Sequence, residues 1–198
     1  MMQLDEGYIK FNIDWKERDL TLNQETFITL NTCRNKLFNL ELIGAYDNGI
    51  GFGNISKRFT ENKFIITGSA TGNISELQSQ HYSLVEEYKL NENYVKCIGK
   101  TKASSESLSH AIIYETLPKV NAIIHTHNLK MWNRYFNDLP TTSKKAEFGT
   151  PDMALEIKKL LNSNSGIIIM GGHEEGILCY GETLKDAEKI LISYFNKV

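Results

Sequence analysis

The chain has 198 residues, 41% hydrophobic and 23% charged, with 22 Lys and Arg against 24 Asp and Glu for a formal charge of −2. This composition excludes a disordered chain, and the length suits one sizeable domain that buries roughly 70% of its unfolded surface without help from a disulfide or metal. The charges are interspersed and near balance, which excludes the basic surplus of a duplex-binding protein.

The first residues, Met1 to Glu6, carry no apolar core behind a basic start, so no signal peptide is expected. From Gln24 to Leu42, the residues Phe27, Leu30, Cys33, Leu37 and Leu40 recur at threes and fours, which predicts an amphipathic helix. The stretch Asp47 to Ser56, with glycines at 49, 51 and 53, reads as a turn leading into a short strand. Phe64 to Thr67 is a predicted strand ending in the loop Gly68 to Gly72, and Tyr94 to Ile98 is another. Ser104-Ser105 before Glu106 marks a helix start, with a small polar cap and early negative charge. That helix runs through His110, Ile113 and Leu117 and stops near Pro118. Val120 to His127 is then a strand. Thr150-Pro151 resembles an N-cap with proline at the first helical position, opening a helix to about Leu161. Gly166 to Met170 and Gly176 to Tyr180 read as strands flanking a tight connection, and Thr183 opens a closing helix. Helices and short strands without regular alternation predict a mixed α/β domain around one sheet. The apolar runs are too short to span a bilayer. Cys33, Cys97 and Cys179 form no CxxC pair and read as small buried hydrophobes, so a reducing cytoplasm is the expected setting.

The chemistry concentrates in the histidines. His125 and His127 stand two apart on a predicted strand, so both imidazoles project from one face with Cα atoms about 7 Å apart. That spacing lets two rings reach one ion at about 2.0–2.1 Å per Zn–N bond, although a lone pair of this kind also fits interior or capping histidines. His173, between Gly171-Gly172 and Glu174-Glu175 at the end of an apolar run, is placed to supply a third nitrogen or else is a turn residue. Three histidines leave an open position on zinc, the arrangement of a catalytic rather than a structural site. Glu106 offers a carboxylate in the first helical turn, where it also serves as a favourable charge at a helix N-terminus. His110, one turn later, reads first as a satisfied interior histidine. A second group, Gly53-Asn54-Ile55-Ser56, Thr67-Gly68-Ser69 and Ser104-Ser105, is rich in glycine, hydroxyls and an amide. Such residues are turn formers and can equally cradle a phosphate.

In their order along the chain, Gly53-Asn54-Ile-Ser56, Ile66-Thr67-Gly68-Ser69, Ser104-Ser105-Glu106-xxx-His110, Pro118-xx-Asn-Ala-Ile-Ile-His125-Thr-His127 and Gly149-Thr150 resemble the class II aldolase and adducin superfamily. The resemblance covers nearly the whole chain from about residue 24. It implies a three-layer α/β/α fold with a central, mainly antiparallel sheet in one domain over residues 1–198, and a homotetramer with active sites near subunit boundaries. By position it makes His125, His127 and His173 metal ligands, and Glu106 an acid/base group that can also touch the metal. Gly53, Asn54, Thr67, Gly68, Ser69, Ser104 and Ser105 fall on phosphate-binding loops.

The resulting expectation is a zinc-dependent lyase of the aldolase type that cleaves a C–C bond in a small phosphorylated keto-sugar through a metal-stabilised enediolate. Mn²⁺, Fe²⁺ or Co²⁺ also suit a mixed nitrogen and oxygen site. A 4-epimerase or dehydratase would use the same site, and a non-catalytic adducin-like assembly module would be expected to have lost the ligands retained here. No nucleic-acid or membrane partner is expected. The chain departs from the family pattern at Gly68 to Gly72, where proline is usual. It departs again at Glu174-Glu175, which intervene before Gly176 and read as an exposed acidic turn. The segment Asn128 to Ala146 offers no match for the tyrosine that family aldolases use as a second proton donor, although Tyr135 lies nearby.

Overall fold

The computed structural model describes residues 8–198, so the Met1 to Glu6 stretch judged to lack a leader lies outside the described residues. Strand β1 (Asn12–Glu17) precedes helix α1 (Gln24–Asn39), whose N-cap Asn23 accepts a hydrogen bond from the Thr26 N–H. The helix stops short of Leu42 because Glu41 takes a left-handed φ of 56° and turns Leu42 and Ile43 into the core. Two short strands, β2 (Gly44–Ala45) and β3 (Gly51–Phe52), pair with each other. Then follow β4 (Asn54–Thr60), β5 (Lys63–Thr67), β6 (Tyr82–Lys89) and β7 (Tyr94–Gly99).

Helix α2 (Ser107–Thr116) begins later than the Ser-Ser signal suggested. Glu106 occupies the cap position, and Ser104 Oγ accepts from the Glu106 N–H at 3.3 Å in the turn before it. After β8 (Ala122–His127) come the short α3 (Leu129–Tyr135) and then α4 (Pro151–Leu160), capped by Thr150 as its sequence predicts. The chain closes with β9 (Gly166–Ile169), β10 (Gly176–Gly181) and α5 (Leu184–Phe195), the last opened by a reciprocal capping box between Thr183 and Asp186.

Eight strands form one sheet in the order β1-β7-β6-β5-β4-β8-β10-β9. The β1–β7 pair is parallel and the other ladders are antiparallel. Alternation along the central strands divides the interior in two. Ile123, Leu178 and Tyr180 join one apolar cluster with Leu108 and Ile112 of α2 and Met153 and Ile157 of α4. Ile124, Ile177 and Cys179 join the other with Leu30 and Leu37 of α1 and Ala187 and Leu191 of α5. A central sheet buried on both faces needs helices on both faces, and the result is the expected three-layer α/β/α fold. All three cysteines are free and buried. Among the described residues no helix is long and apolar enough to cross a membrane.

Candidate metal centre

Strand alternation puts His125 and His127 on the face of β8 that carries Ile123, towards α2 and α4. Antiparallel pairing sets Gly176 opposite His127, so the turn joining β9 to β10 delivers His173 to the end of β8. One ring nitrogen from each of these three histidines lies within 4.8 Å of the other two, and all three residues are buried. The Nε2 atoms of His125 and His127 stand 3.2 Å apart. Two nitrogens bound to one tetrahedral ion at about 2.0–2.1 Å are about 3.3 Å apart, so the spacing fits. His125 Nδ1 lies 3.2 Å from the Ile177 carbonyl oxygen, which can only accept. The ring proton therefore sits on Nδ1, and Nε2 presents a lone pair inward. Burial, and then the neighbouring His127 and His173, hold His125 well below the usual histidine range. Neutral imidazole is the ligating form, so the donor set suits a divalent transition metal.

Glu106 is buried at the start of α2, and its Oε2 accepts from Ser109 Oγ at 2.7 Å. Its carboxylate is not part of the mutually close histidine group. Gly149, at φ 70°, brings its loop so close that an added Cβ would lie 3.0 Å from Ser105 O and 3.9 Å from Glu106 Oε1. The preceding Phe148 stacks on His173 at 4.4 Å and 21°, and Phe52 stacks on His127 at 5.2 Å and 21°. Neither aromatic was singled out in the sequence, because loop residues carry no periodicity that reveals their neighbours.

His110 is interior, as it was read to be, but only one of its ring nitrogens is satisfied; Nε2 is buried without a hydrogen-bond partner. Its Nδ1 lies 2.7 Å from Ser56 Oγ, which also meets Tyr114 Oη at 2.7 Å, and burial pushes its pKa from 6.5 to about 3. Between those values the unfolded chain binds a proton that the folded chain refuses. Stability therefore falls as pH drops below about 6.5, by about 1.4 kcal/mol per pH unit for this one group. Urea midpoints of the metal-free protein from about pH 7 to about pH 4 are expected to show this slope. His110→Asn should remove about one proton from it while leaving the parallel contribution of His125; an unchanged slope would refute the assignment.

Asn54 pairs with His125 across the β4–β8 ladder, so both side chains face α2. Gly53 is required beside it. At φ 76° a Cβ would lie 2.8 Å from Ile43 and 3.2 Å from the His125 carbonyl. Gly53, Asn54, Gly68, Ser69, Ser104 and Ser105 line a cavity of about 20 Å³, room for about one water. Within it, the backbone of residues 67–69 is already engaged. The N–H groups of Gly68 and Ser69 donate to the carbonyls of His81 (2.7 Å) and Lys102 (2.8 Å), and Thr67 Oγ1 accepts from the Ile55 N–H at 3.2 Å. These groups are engaged in the fold, so an anion would have to be met by side chains such as those of Asn54, Ser69, Ser104 and Ser105. Asn54 Oδ1 is buried without a hydrogen-bond partner, an acceptor that suits a ligand hydroxyl, whereas an anion would be met by the Asn54 amide N–H groups.

The far side of that loop rests on Arg34 of α1, which is buried and donates to the carbonyls of Ser75 (2.9 Å), Thr71 (3.2 Å) and Gly72 (3.1 Å). Arg34→Met is expected to cost about 2–4 kcal/mol and to lower the melting temperature by roughly 5–15 °C. A shift under about 2 °C in thermal unfolding would contradict this role.

Tyr46 escaped the sequence reading, and Glu175 was placed by it on the surface. Tyr46 Oη stands 2.7 Å from His127 Nδ1 and donates to Glu175 Oε2 at 2.8 Å. An exposed acidic turn thus describes Glu174 but not Glu175, whose side chain turns inward. Tyr135 lies elsewhere, in the cluster on the other face of the sheet, with its hydroxyl donating to the Tyr194 carbonyl at 3.1 Å.

Comparison with known proteins agrees with this architecture. Residues 46–194 match the family model of the Class II Aldolase and Adducin N-terminal domain. An L-fuculose phosphate aldolase of Methanocaldococcus jannaschii is 28% identical over 153 residues, covering 68% of this chain and 75% of that protein. One from Methanococcus vannielii is 30% identical over 105 residues, and the match spans about half of that relative, 54% of its length, and 44% of this chain. Among solved structures, an L-fuculose 1-phosphate aldolase superposes with a TM-score of 0.68 at 21% identity, covering 89% of this chain and 84% of that one. A sugar-phosphate aldolase from Thermotoga maritima gives 0.65 at 16%, covering 87% and 91%. The family match takes in β4, β8 and the β9–β10 turn, the elements that gather the histidines; the chain belongs to the class II aldolase and adducin N-terminal domain family.

Proposed function

We propose that the chain, as a single domain over residues 1–198, is a metal-dependent lyase of the aldolase type acting on a small phosphorylated keto-sugar. The observation that carries this reading is the convergence of His125, His127 and His173, whose ring nitrogens lie within 4.8 Å of one another. The curated relatives named as L-fuculose phosphate aldolases support it at the level of substrate class. The three imidazoles would hold the ion, with Zn²⁺ favoured by a nitrogen donor set and Mn²⁺, Fe²⁺ or Co²⁺ as alternatives. When bound, such an ion stabilises negative charge developing beside the substrate carbonyl.

The protein supplies the rest. Glu106 moves a proton to or from the substrate, and the buried Ser109 hydroxyl at 2.7 Å fixes the carboxylate's rotamer. Asn54, Ser104 and Ser105 orient the phosphorylated end. With its N–H groups engaged in the fold, the loop carrying Thr67, Gly68 and Ser69 gives that pocket its wall. Phe148 against His173 excludes water from one side of the centre. The reading includes a homotetramer in the cytoplasm.

The direct test incubates Zn²⁺-loaded protein with a series of ketose 1-phosphates and follows aldehyde release with a coupled dehydrogenase. NMR of the same mixtures distinguishes an epimer or a dehydrated product. Aldehyde release supports the lyase, while an epimer or dehydrated product alone assigns the site to the neighbouring chemistry. Absence of bound metal even after zinc is supplied would favour a non-catalytic module.

A further inference from the structure

We infer that Tyr46 and Glu175 form a positioning pair that fixes the ring orientation and tautomer of His127 for metal binding. This rests on the metal centre proposed above. An ionised carboxylate can only accept, and Tyr46 has one hydroxyl proton, which it donates to Glu175 Oε2 at 2.8 Å. Its oxygen then faces His127 Nδ1 at 2.7 Å as an acceptor, so Nδ1 carries the ring proton. The lone pair is left on Nε2, 3.2 Å from His125 Nε2. The chain of donors runs His127 to Tyr46 to Glu175, and the carboxylate at its end raises the basicity of the inner nitrogen. The orientation is further held by Phe52, stacked on His127 and 4.7 Å from the Tyr46 ring.

The backbone supplies a second, independent observation. Glu175 sits at φ 67°, in the turn closed by the Gly176 N–H donating to the His173 carbonyl at 2.9 Å. Such a turn position favours glycine or asparagine, and a glutamate there carries strain. Glycine would fit the backbone better, and what the glutamate adds at this position is its carboxylate. The turn that presents His173 to the ion thereby also orients His127. Tyr46, in the β2–β3 turn, ties that turn to the same centre.

The strain separates positioning from folding. Zn²⁺ affinity of the full chain, measured by competition with a chromophoric chelator, is expected to fall about 10–100-fold in Tyr46→Phe and in Glu175→Gly. The double variant should be little weaker than either single one, since each acts through the other. Glu175→Gln, which keeps an acceptor without the charge, should fall between wild type and Glu175→Gly. Metal-free Glu175→Gly should melt no lower than wild type, because glycine relieves the left-handed backbone. The visible spectrum of the Co²⁺-loaded protein should change in the variants, a readout of ligand geometry that a purely structural role would not move. Wild-type Zn²⁺ affinity and an unchanged Co²⁺ spectrum in both single variants would overturn the pair while leaving the histidine site intact. Failure of the wild-type protein to bind Zn²⁺ would instead overturn the site on which the pair rests.

Discussion

His125→Ala is expected to abolish stoichiometric zinc binding at micromolar metal, with activity lost to the same degree. Apparent binding free energies of about 10–16 kcal/mol shared among about four ligands give each imidazole about 2.5–4 kcal/mol, a factor of about 10²–10³ in affinity. His125 is the most informative of the three, because its partners leave little room for substitution. Its Nδ1 is fixed on the Ile177 carbonyl, its Nε2 faces that of His127, and no part of it is exposed. A water filling the deleted volume could replace one donor but not the orientation. The measurement is metal content by elemental analysis after dialysis, alongside chelator competition, with His110→Asn as the control. His110 is equally buried but engaged with Ser56, so that variant should keep its zinc. Full zinc retention in His125→Ala would remove the basis of the metal centre.

What the sequence revealed of this site, and what it did not, follows from the range of the interactions. Thr150-Pro151 and the Thr183–Asp186 box are local signals, and the helices they announce start where those signals place them. His125 and His127 share a face because strand alternation has a period of two, which needs no tertiary information. Strand β6 was missed because its register shifts between Val85 and Glu87, which breaks the alternation at two adjacent glutamates. Strand β1 was missed because it is a polar edge strand, exposed at most positions, whose partner β7 lies far along the chain. Arg34 occupies an otherwise amphipathic helix, where an arginine ordinarily reads as solvent-facing. Its burial depends on carbonyls in a loop that has no signature of its own. Glu175 looked like surface charge for the same reason: its partner Tyr46 is 129 residues away.

Glu106→Gln separates the two halves of the proposed chemistry. The change is nearly isosteric, and the Ser109 hydroxyl can still donate to the amide oxygen, so the fold around α2 should persist. Because the carboxylate stands outside the histidine group, zinc content should remain at wild-type level. The turnover number, by contrast, is expected to fall about 10²–10⁴-fold with KM little changed, because an amide cannot accept the proton that a general base must take. Exchange of substrate carbon-bound hydrogen with deuterated solvent, followed by NMR, isolates that proton transfer from bond cleavage and should fall in parallel with turnover. Zinc loss in the variant would instead make Glu106 a ligand that swings in from Ser109. Retained exchange with zinc in place would assign the base to another group. The two variants thus lose activity in different ways: His125→Ala removes the ion and with it every reaction, whereas Glu106→Gln leaves a loaded centre unable to move its proton.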